Sequence, residues 1–237
     1  MSTNNNKPII LDPGEVLSEE FKNKIREMNA GKPDFQTYTR RVREVFNLAP
    51  ITINKTKSIF LAGFIEGEGS ISVSVKKNDN AKFGIELDPN FNITQHINGV
   101  NHLYFALEVF QTGRIRYKAG SNATLVFIIE PRRSLTEKVC PFFKEYVYDL
   151  SSPAKQRKFD NFLKMLNLFD ENAHLIEDRF INELLPIWDS IRGDTQKGYK
   201  GETFQSLEEA QNFVRTSYLL LPKGVRSKGR ISPKGKF

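Results

Sequence analysis

The sequence predicts an α+β (mixed α/β) protein, and three observations carry that prediction. Residues Ser70 to Lys76 alternate polar and apolar without exception, the period-two signature of a strand with one buried face. The same parity resumes beyond a polar turn. Phe83, Ile85, Leu87, Phe91 and Ile93 fall on one side, with Glu86, Asp88, Asn90, Asn92 and Thr94 on the other. Around these runs lie apolar stripes at three- and four-residue spacing, the period of helices. The central order is therefore helix, two strands, helix, two strands, helices.

In chain order, Met1 to Leu11 is polar and is expected to be disordered. Ser18 caps a helix running to about Ala30, with Glu19 and Glu20 in the first turn and Phe21, Ile25 and Met28 on one face. Gly31 and Pro33 stop it. A second helical stripe, Tyr38, Val42, Val45 and Phe46, ends before Pro50. Its Arg40, Arg41 and Arg43 fit a solvated face or contacts to a nucleic-acid backbone equally well.

The helix from about Lys55 carries the densest pattern, Leu61-Ala62-Gly63-Phe64-Ile65-Glu66-Gly67-Glu68-Gly69-Ser70. Gly63 and Gly67 stand four apart on one face beside Ala62, so a second backbone can approach closely. Phe60, Leu61, Phe64 and Ile65 cover much of the rest, the pattern of a buried helix. Glu66 and Glu68 sit at its C-terminus, where unpartnered carbonyls already carry partial negative charge, so the site favours a hard cation. The same residues also fit a glycine-capped helix with two solvated acids.

After the first strand pair, where Pro89 marks an edge or a bulge, Leu103, Ala106, Leu107 and Phe110 form a core stripe closed by Gly113. Arg114, Arg116 and Lys118 then share one strand face. Ala119 to Asn122 reads as a hairpin turn into an apolar run over Ala123 to Ile129. Ser134 with Glu137 predicts a capping box for a helix to about Tyr148. Another helix starts after Ser152, with Phe159, Phe162, Leu163, Leu166 and Phe169 inward. Ile176, Phe180, Leu184, Trp188 and Ile191 make a further stripe, kinked at Pro186. Past a glycine-rich link, Ser206 with Glu209 caps a short helix with Leu207, Ala210 and Phe213. A basic tail follows, with Lys223, Arg226, Lys228, Arg230, Lys234 and Lys236 and no acid after Glu209.

The chain of 237 residues carries a formal charge of +7, which favours an anionic partner. No apolar run is long enough to span a membrane, and neither a signal-peptide core nor an acid-poor transit peptide is visible near the N-terminus. Cys140 is the single cysteine, which excludes an internal disulfide and points to a reducing compartment. The outward strand faces mix hydroxyls, amides, carboxylates and cations. Phosphate alone needs only cations, whereas this mixture matches the chemistry of base edges, although an ordinary half-solvated sheet is also polar.

The decapeptide Leu61 to Ser70, followed at once by an alternating strand, resembles the LAGLIDADG motif of homing endonucleases. From about Lys57 to about Ile191 the chain resembles the single-motif members, most closely those encoded in organellar ribosomal-RNA group I introns. The resemblance implies a three-part chain: an N-terminal extension over 1–54, the endonuclease core over 55–192 with a saddle-shaped antiparallel sheet, and a C-terminal extension with its basic tail over 193–237. It implies a site-specific DNA endonuclease that makes a metal-dependent double-strand break as a homodimer, at a long, roughly palindromic intron-insertion site.

The helical wheel alone puts Glu66 nearer the glycine face, whereas the family register makes Glu68 the metal-binding acid, with the Gly67 carbonyl beside it. Magnesium, or another divalent cation, is the implied cofactor. In the same register Gln95 positions solvent near the scissile phosphate and Lys155 supplies the basic residue. Gln95 falls in the apolar register, where a local hydrogen bond is the other reading, and His96 could contact a phosphate.

DNA contacts are expected from Ser70, Ser72, Ser74 and Lys76 on the first strand and Lys82 in the turn. They are expected from Glu86, Asp88, Asn90, Asn92 and Thr94 on the second strand, and from Arg114, Arg116, Lys118, Ser121, Asn122 and Thr124 around the hairpin. The dimer interface is expected at Ala62, Gly63, Glu66 and Gly67. The implied partners are double-stranded DNA and a second copy of the chain, with no membrane and no small-molecule substrate, in a chloroplast or mitochondrion. An RNA-binding intron maturase and an inactive DNA-binding protein are the competing readings of the same scaffold.

Overall fold

The structure is a computed structural model and describes residues 10–12, 14–192 and 203–220. The basic tail and most of the glycine-rich link lie outside the described residues. Two short helices open the chain, α1 (Glu19–Met28) and α2 (Phe35–Phe46). Ser18 accepts from the Phe21 N–H and Asp34 from the Thr37 N–H, so each start is fixed by an N-cap. Asn54 caps α3 (Lys55–Glu68) through the Lys57 N–H. The strands are β1 (Gly69–Lys77), β2 (Ile85–His96), β3 (Arg114–Tyr117) and β4 (Thr124–Ile129), with α4 (Val100–Phe110) between β2 and β3. They hydrogen-bond in the order β1-β2-β4-β3. The order of elements expected from the periodicity is the order observed.

Pro89 lies within β2 at a point past the end of its ladder with β4, as the edge reading expects. The antiparallel register of β2 on β4 runs from Phe91↔Ile129 to His96↔Thr124, so Pro89 stands beyond it and its missing N–H removes no bond of that ladder. The hairpin turn is as expected. Gly120 at φ +77° occupies the third position of the turn that the Ser121 N–H closes onto the Lys118 carbonyl.

The described chain divides into two compact units, residues 1–70 with 90–152 and residues 71–89 with 153–237, which cuts across the three sequence stretches. In the first unit, Phe91, Phe127 and Ile115 of the sheet pack under α4, where the Phe110 ring meets Phe91 edge-on at 5.5 Å and Phe142 at 5.2 Å. In the second, Phe83 meets Phe180 at 5.2 Å, and Arg192, buried against Trp188, donates to the Phe204 and Gln205 carbonyls.

The helical run after β4 differs from the sequence reading. It starts at Arg132 behind Pro131, so Ser134 already has helical geometry and its hydroxyl meets that of Thr112 instead of capping. The run widens into π turns at Leu135–Val139 and Phe143–Val147. A third widening, Phe180–Leu184, ends just before Pro186, where a kink is expected. Two share a cause: the residue before Pro141 bonds back to the Leu135 carbonyl, and the residue before Pro186 to the Phe180 carbonyl, five residues each. The wider turn makes room for a ring that would strike a carbonyl four residues back. Ile176, expected in the core, is 47% exposed because it precedes the helical start in extended geometry. Ser206 does cap its helix, accepting from the Glu209 N–H, while Glu209 accepts from Gln205. No described helix is long and apolar enough to cross a membrane.

Candidate active site and nucleic-acid interface

The site begins at the end of α3. Gly69 terminates the helix in extended geometry, and its N–H bonds to the Ile65 carbonyl. A Cβ at Gly69 would lie 2.6 Å from that carbonyl oxygen, so the turn from α3 into β1 needs glycine. This turn leaves Glu68 and Gly67 exposed, whereas Ile65 is buried. Glu66 points elsewhere. Its Oε2 accepts from the Ser151 hydroxyl at 2.6 Å, a contact inside the same unit, so the wheel-based preference for Glu66 at an open face is not met.

The exposed stripe of α3 is Ile59, Phe60, Gly63 and Gly67, with Ile59 55% and Phe60 54% exposed. Nothing lies within 4 Å of a Cβ built at Gly63 or Gly67. Two corrections follow. Ala62 is 5% exposed and belongs to the chain's own core, because its position faces Leu61 and Ile65 rather than the glycines. Phe60, counted toward a buried helix, is open on one side and meets His102 at 5.8 Å and Phe105 at 6.2 Å on the other.

Gln95 pairs with Leu125 and so faces away from Thr94 and His96, as its parity predicts. Its Oε1 accepts from the His96 N–H at 2.9 Å, and its chain folds against Gly99, where a Cβ would lie 2.5 Å from the Gln95 Cγ. The local hydrogen bond anticipated for a polar residue in an apolar register is thus present. The His96 Nδ1 accepts from the Asn98 N–H, and Asn98 in turn exchanges two bonds with the backbone of Leu11, a residue expected to be disordered. Lys155 lies in the first turn of the helix Pro153–Asp170, in the second unit. Burial, and then the charge of Lys155, holds the Lys158 ammonium below the usual lysine range.

On the first unit's strands the outward residues are Asn92 and Thr94 on β2, Thr124, Val126 and Ile128 on β4, and Arg116 and Lys118 around β3. Arg116 is held by Glu130, a residue the sequence reading did not single out. On the second unit's strands Ser72, Ser74, Lys76, Glu86 and Asp88 face outward. Lys76 bonds Asp88 at 2.7 Å, which raises its pKa above the ordinary lysine value. Ser70 is half-buried at the helix–strand turn.

Five expected contacts are engaged in the fold. Asn90 is buried and accepts from the Asn92 amide, so it reads nothing outward. The Arg114 guanidinium lies 4.2 Å above the Tyr38 ring and donates to the Pro33 carbonyl, since α2 packs there. Lys82 donates to the Leu175 carbonyl at 2.7 Å. Ser121 staples the hairpin, donating to the Lys118 carbonyl and accepting from the Thr124 N–H. The Asn122 carbonyl accepts from Leu17, and its exposed side chain reaches the Gly14 carbonyl at 3.5 Å.

The pattern of a glycine-faced helix, an acid at its end and a polar strand face meets known proteins directly. The LAGLIDADG endonuclease family model matches residues 61–166. DNA endonuclease I-CeuI of Chlamydomonas moewusii is 46% identical over 209 residues, covering 87% of this chain and 95% of that protein. The chain belongs to the LAGLIDADG endonuclease family. It is an enzyme of the homing endonuclease type, a DNA phosphodiester hydrolase, and its fold is that of the family. The solved structure of the group I intron-encoded I-CeuI complexed with DNA matches with a TM-score of 0.83 at 45% identity, covering 87% of this chain and 100% of that one. An archaeal intron-encoded homing endonuclease complexed with DNA matches at 0.59 and 30% identity, over 70% of this chain and 98% of that one.

Proposed function

We propose that this LAGLIDADG endonuclease acts as a homodimer that makes a magnesium-dependent double-strand break at a long, roughly palindromic intron-insertion site. The observation that carries the proposal is the exposed Ile59–Phe60–Gly63–Gly67 stripe running into exposed Glu68. An apolar stripe with two glycines open on one side of a single chain fits a second copy of itself, and a two-fold axis through it brings two Glu68 side chains close together. One motif serves one DNA strand, so two copies serve two strands.

The donor set suits magnesium. Glu68 and the Gly67 carbonyl are hard oxygen ligands, and among the described residues no group of three or more acidic, histidine or cysteine side chains forms a closed cage. Magnesium typically takes one or two carboxylates, keeps several waters and uses substrate phosphate oxygens for the rest. When bound, it would neutralise phosphoryl charge and acidify a water. Glu68 would hold the metal, Gln95 would orient solvent at the scissile phosphate, and Lys155 would supply the basic residue. The outward strand residues Ser72, Ser74, Lys76, Glu86, Asp88, Asn92, Thr94, Arg116, Lys118 and Thr124 would contact bases and backbone. Likeness to organellar intron members supports a chloroplast or mitochondrial location.

The test is incubation with duplex DNA carrying the intron-insertion site, with and without magnesium. Cleavage of both strands only with magnesium is expected, and Glu68→Gln should abolish cleavage while binding the duplex as tightly as wild type. Normal cleavage by Glu68→Gln would refute the metal assignment. Binding of intron RNA with no cleavage by wild type would favour a maturase, and DNA binding without cleavage an inactive DNA-binding protein.

A further inference from the structure

We propose that Arg116 and Glu130 act as one reading unit for a guanine–cytosine pair, with Glu130 a specificity-determining residue. The proposal rests on the reading that this strand face contacts DNA. Arg116 stands on β3 opposite Val126 of β4, and Glu130 continues the parity of Val126 and Ile128, so both side chains share the outward face. The Arg116 Nη1 donates to the Glu130 Oε1 at 3.2 Å and Nη2 to Oε2 at 2.8 Å, fork against fork. The side chains are 46% and 51% exposed. Solvent screens a pair this open, and the arginine fork matches a carboxylate or a base edge bidentately.

The chemistry points to bases. Glu130 occupies the end of the guanidinium, and the five N–H donors of arginine leave its side edge to meet the O6 and N7 of a guanine. The carboxylate keeps lone pairs for the amino group of a cytosine. Thymine O4 or guanine O6 at that place would meet the carboxylate acceptor to acceptor, with no hydrogen between, and would be rejected. On the same face of β4, Val126 opposite Arg116 and Ile128 opposite Arg114 can add apolar contact to a base. A bare arginine would bind any nearby phosphate, whereas the carboxylate repels phosphate and restricts the guanidinium to base edges.

The experiment selects the preferred site from a randomised duplex pool with the full-length wild-type protein. Affinities for single-base-pair variants of that site are then measured for wild type, Glu130→Gln, Glu130→Ala and Arg116→Ala, with melting temperatures as a check of folding. Wild type should prefer a guanine–cytosine pair at one position of each half-site by about tenfold or more. Both Glu130 variants should bind every duplex more tightly yet lose the preference at that position, and Arg116→Ala should lose the same preference while binding less tightly. If the Glu130 variants raise affinity uniformly and leave the base profile unchanged, the carboxylate is only a charge and the proposal fails while the strand-face reading stands. If wild type selects no sequence from the pool, the strand-face reading itself fails.

Discussion

Tyr38 shows how one side chain can close a sheet. β3 is an edge strand, and Ile115 at its centre turns its N–H and carbonyl outward, which would leave a template for another strand. The Tyr38 hydroxyl accepts the Ile115 N–H at 2.7 Å, and Asn29 donates to the Ile115 carbonyl at 2.9 Å. Tyr38 is fully buried, and desolvation pushes its phenol up to about 12. Tyr38→Phe should therefore lower stability by about 1–3 kcal/mol, because a buried N–H is left without an acceptor. The measurement is denaturant unfolding at neutral pH. The neutral phenol is the form the fold prefers, so this part of the stability is complete below pH 10 and lost as pH rises through about 12, and the gap between wild type and Tyr38→Phe should narrow across that window.

At the scale of the element, α3 has two faces with different owners. Leu61, Ala62 and Ile65 serve the chain's own core, while Ile59, Phe60, Gly63 and Gly67 face outward. Since a Cβ at Gly63 meets nothing within 4 Å, Gly63→Leu should fold, and its helix should gain up to about 1 kcal/mol in propensity. Close helix approach should nonetheless be blocked. Analytical ultracentrifugation at micromolar concentration should find wild type dimeric and Gly63→Leu monomeric with an unchanged or higher melting temperature. A variant that dimerises like wild type would rule out pairing through this stripe.

Over the whole molecule, charge is distributed in two manners. On the strands, Lys76 and Arg116 are matched to acids, so they are poorly suited to indiscriminate phosphate binding. Past Glu209, six lysines and arginines follow Leu221 without one acid. Ending the chain at Leu221 should weaken binding to cognate and unrelated duplexes by the same factor and flatten the dependence of affinity on salt, because counterion release falls with each lost phosphate contact. Titrations at two salt concentrations check this, and a loss confined to the cognate duplex would mean that the tail reads sequence.

How far the sequence alone reached follows from the range of the interactions involved. Alternation over Ser70 to Lys76, the caps at Ser18 and Ser206, the glycine stop at Gly69 and the parity of Gln95 are set by neighbours within a few residues, and all were legible. The exposed Ile59–Phe60 stripe was not legible, because the helix as a whole reads as buried until the fold shows which side it spends on its own core. Glu130 held Arg116, Ser151 held Glu66 and Tyr38 sealed Ile115 across 14, 85 and 77 residues, respectively. No local period records such pairs. The sequence by itself determined the elements, the family and the acid at the end of α3. Which polar side chains remained outward for DNA and which were drawn into caps, staples and ion pairs was decided only by the tertiary structure, because a hydrogen bond is settled by distance in space and not by separation along the chain.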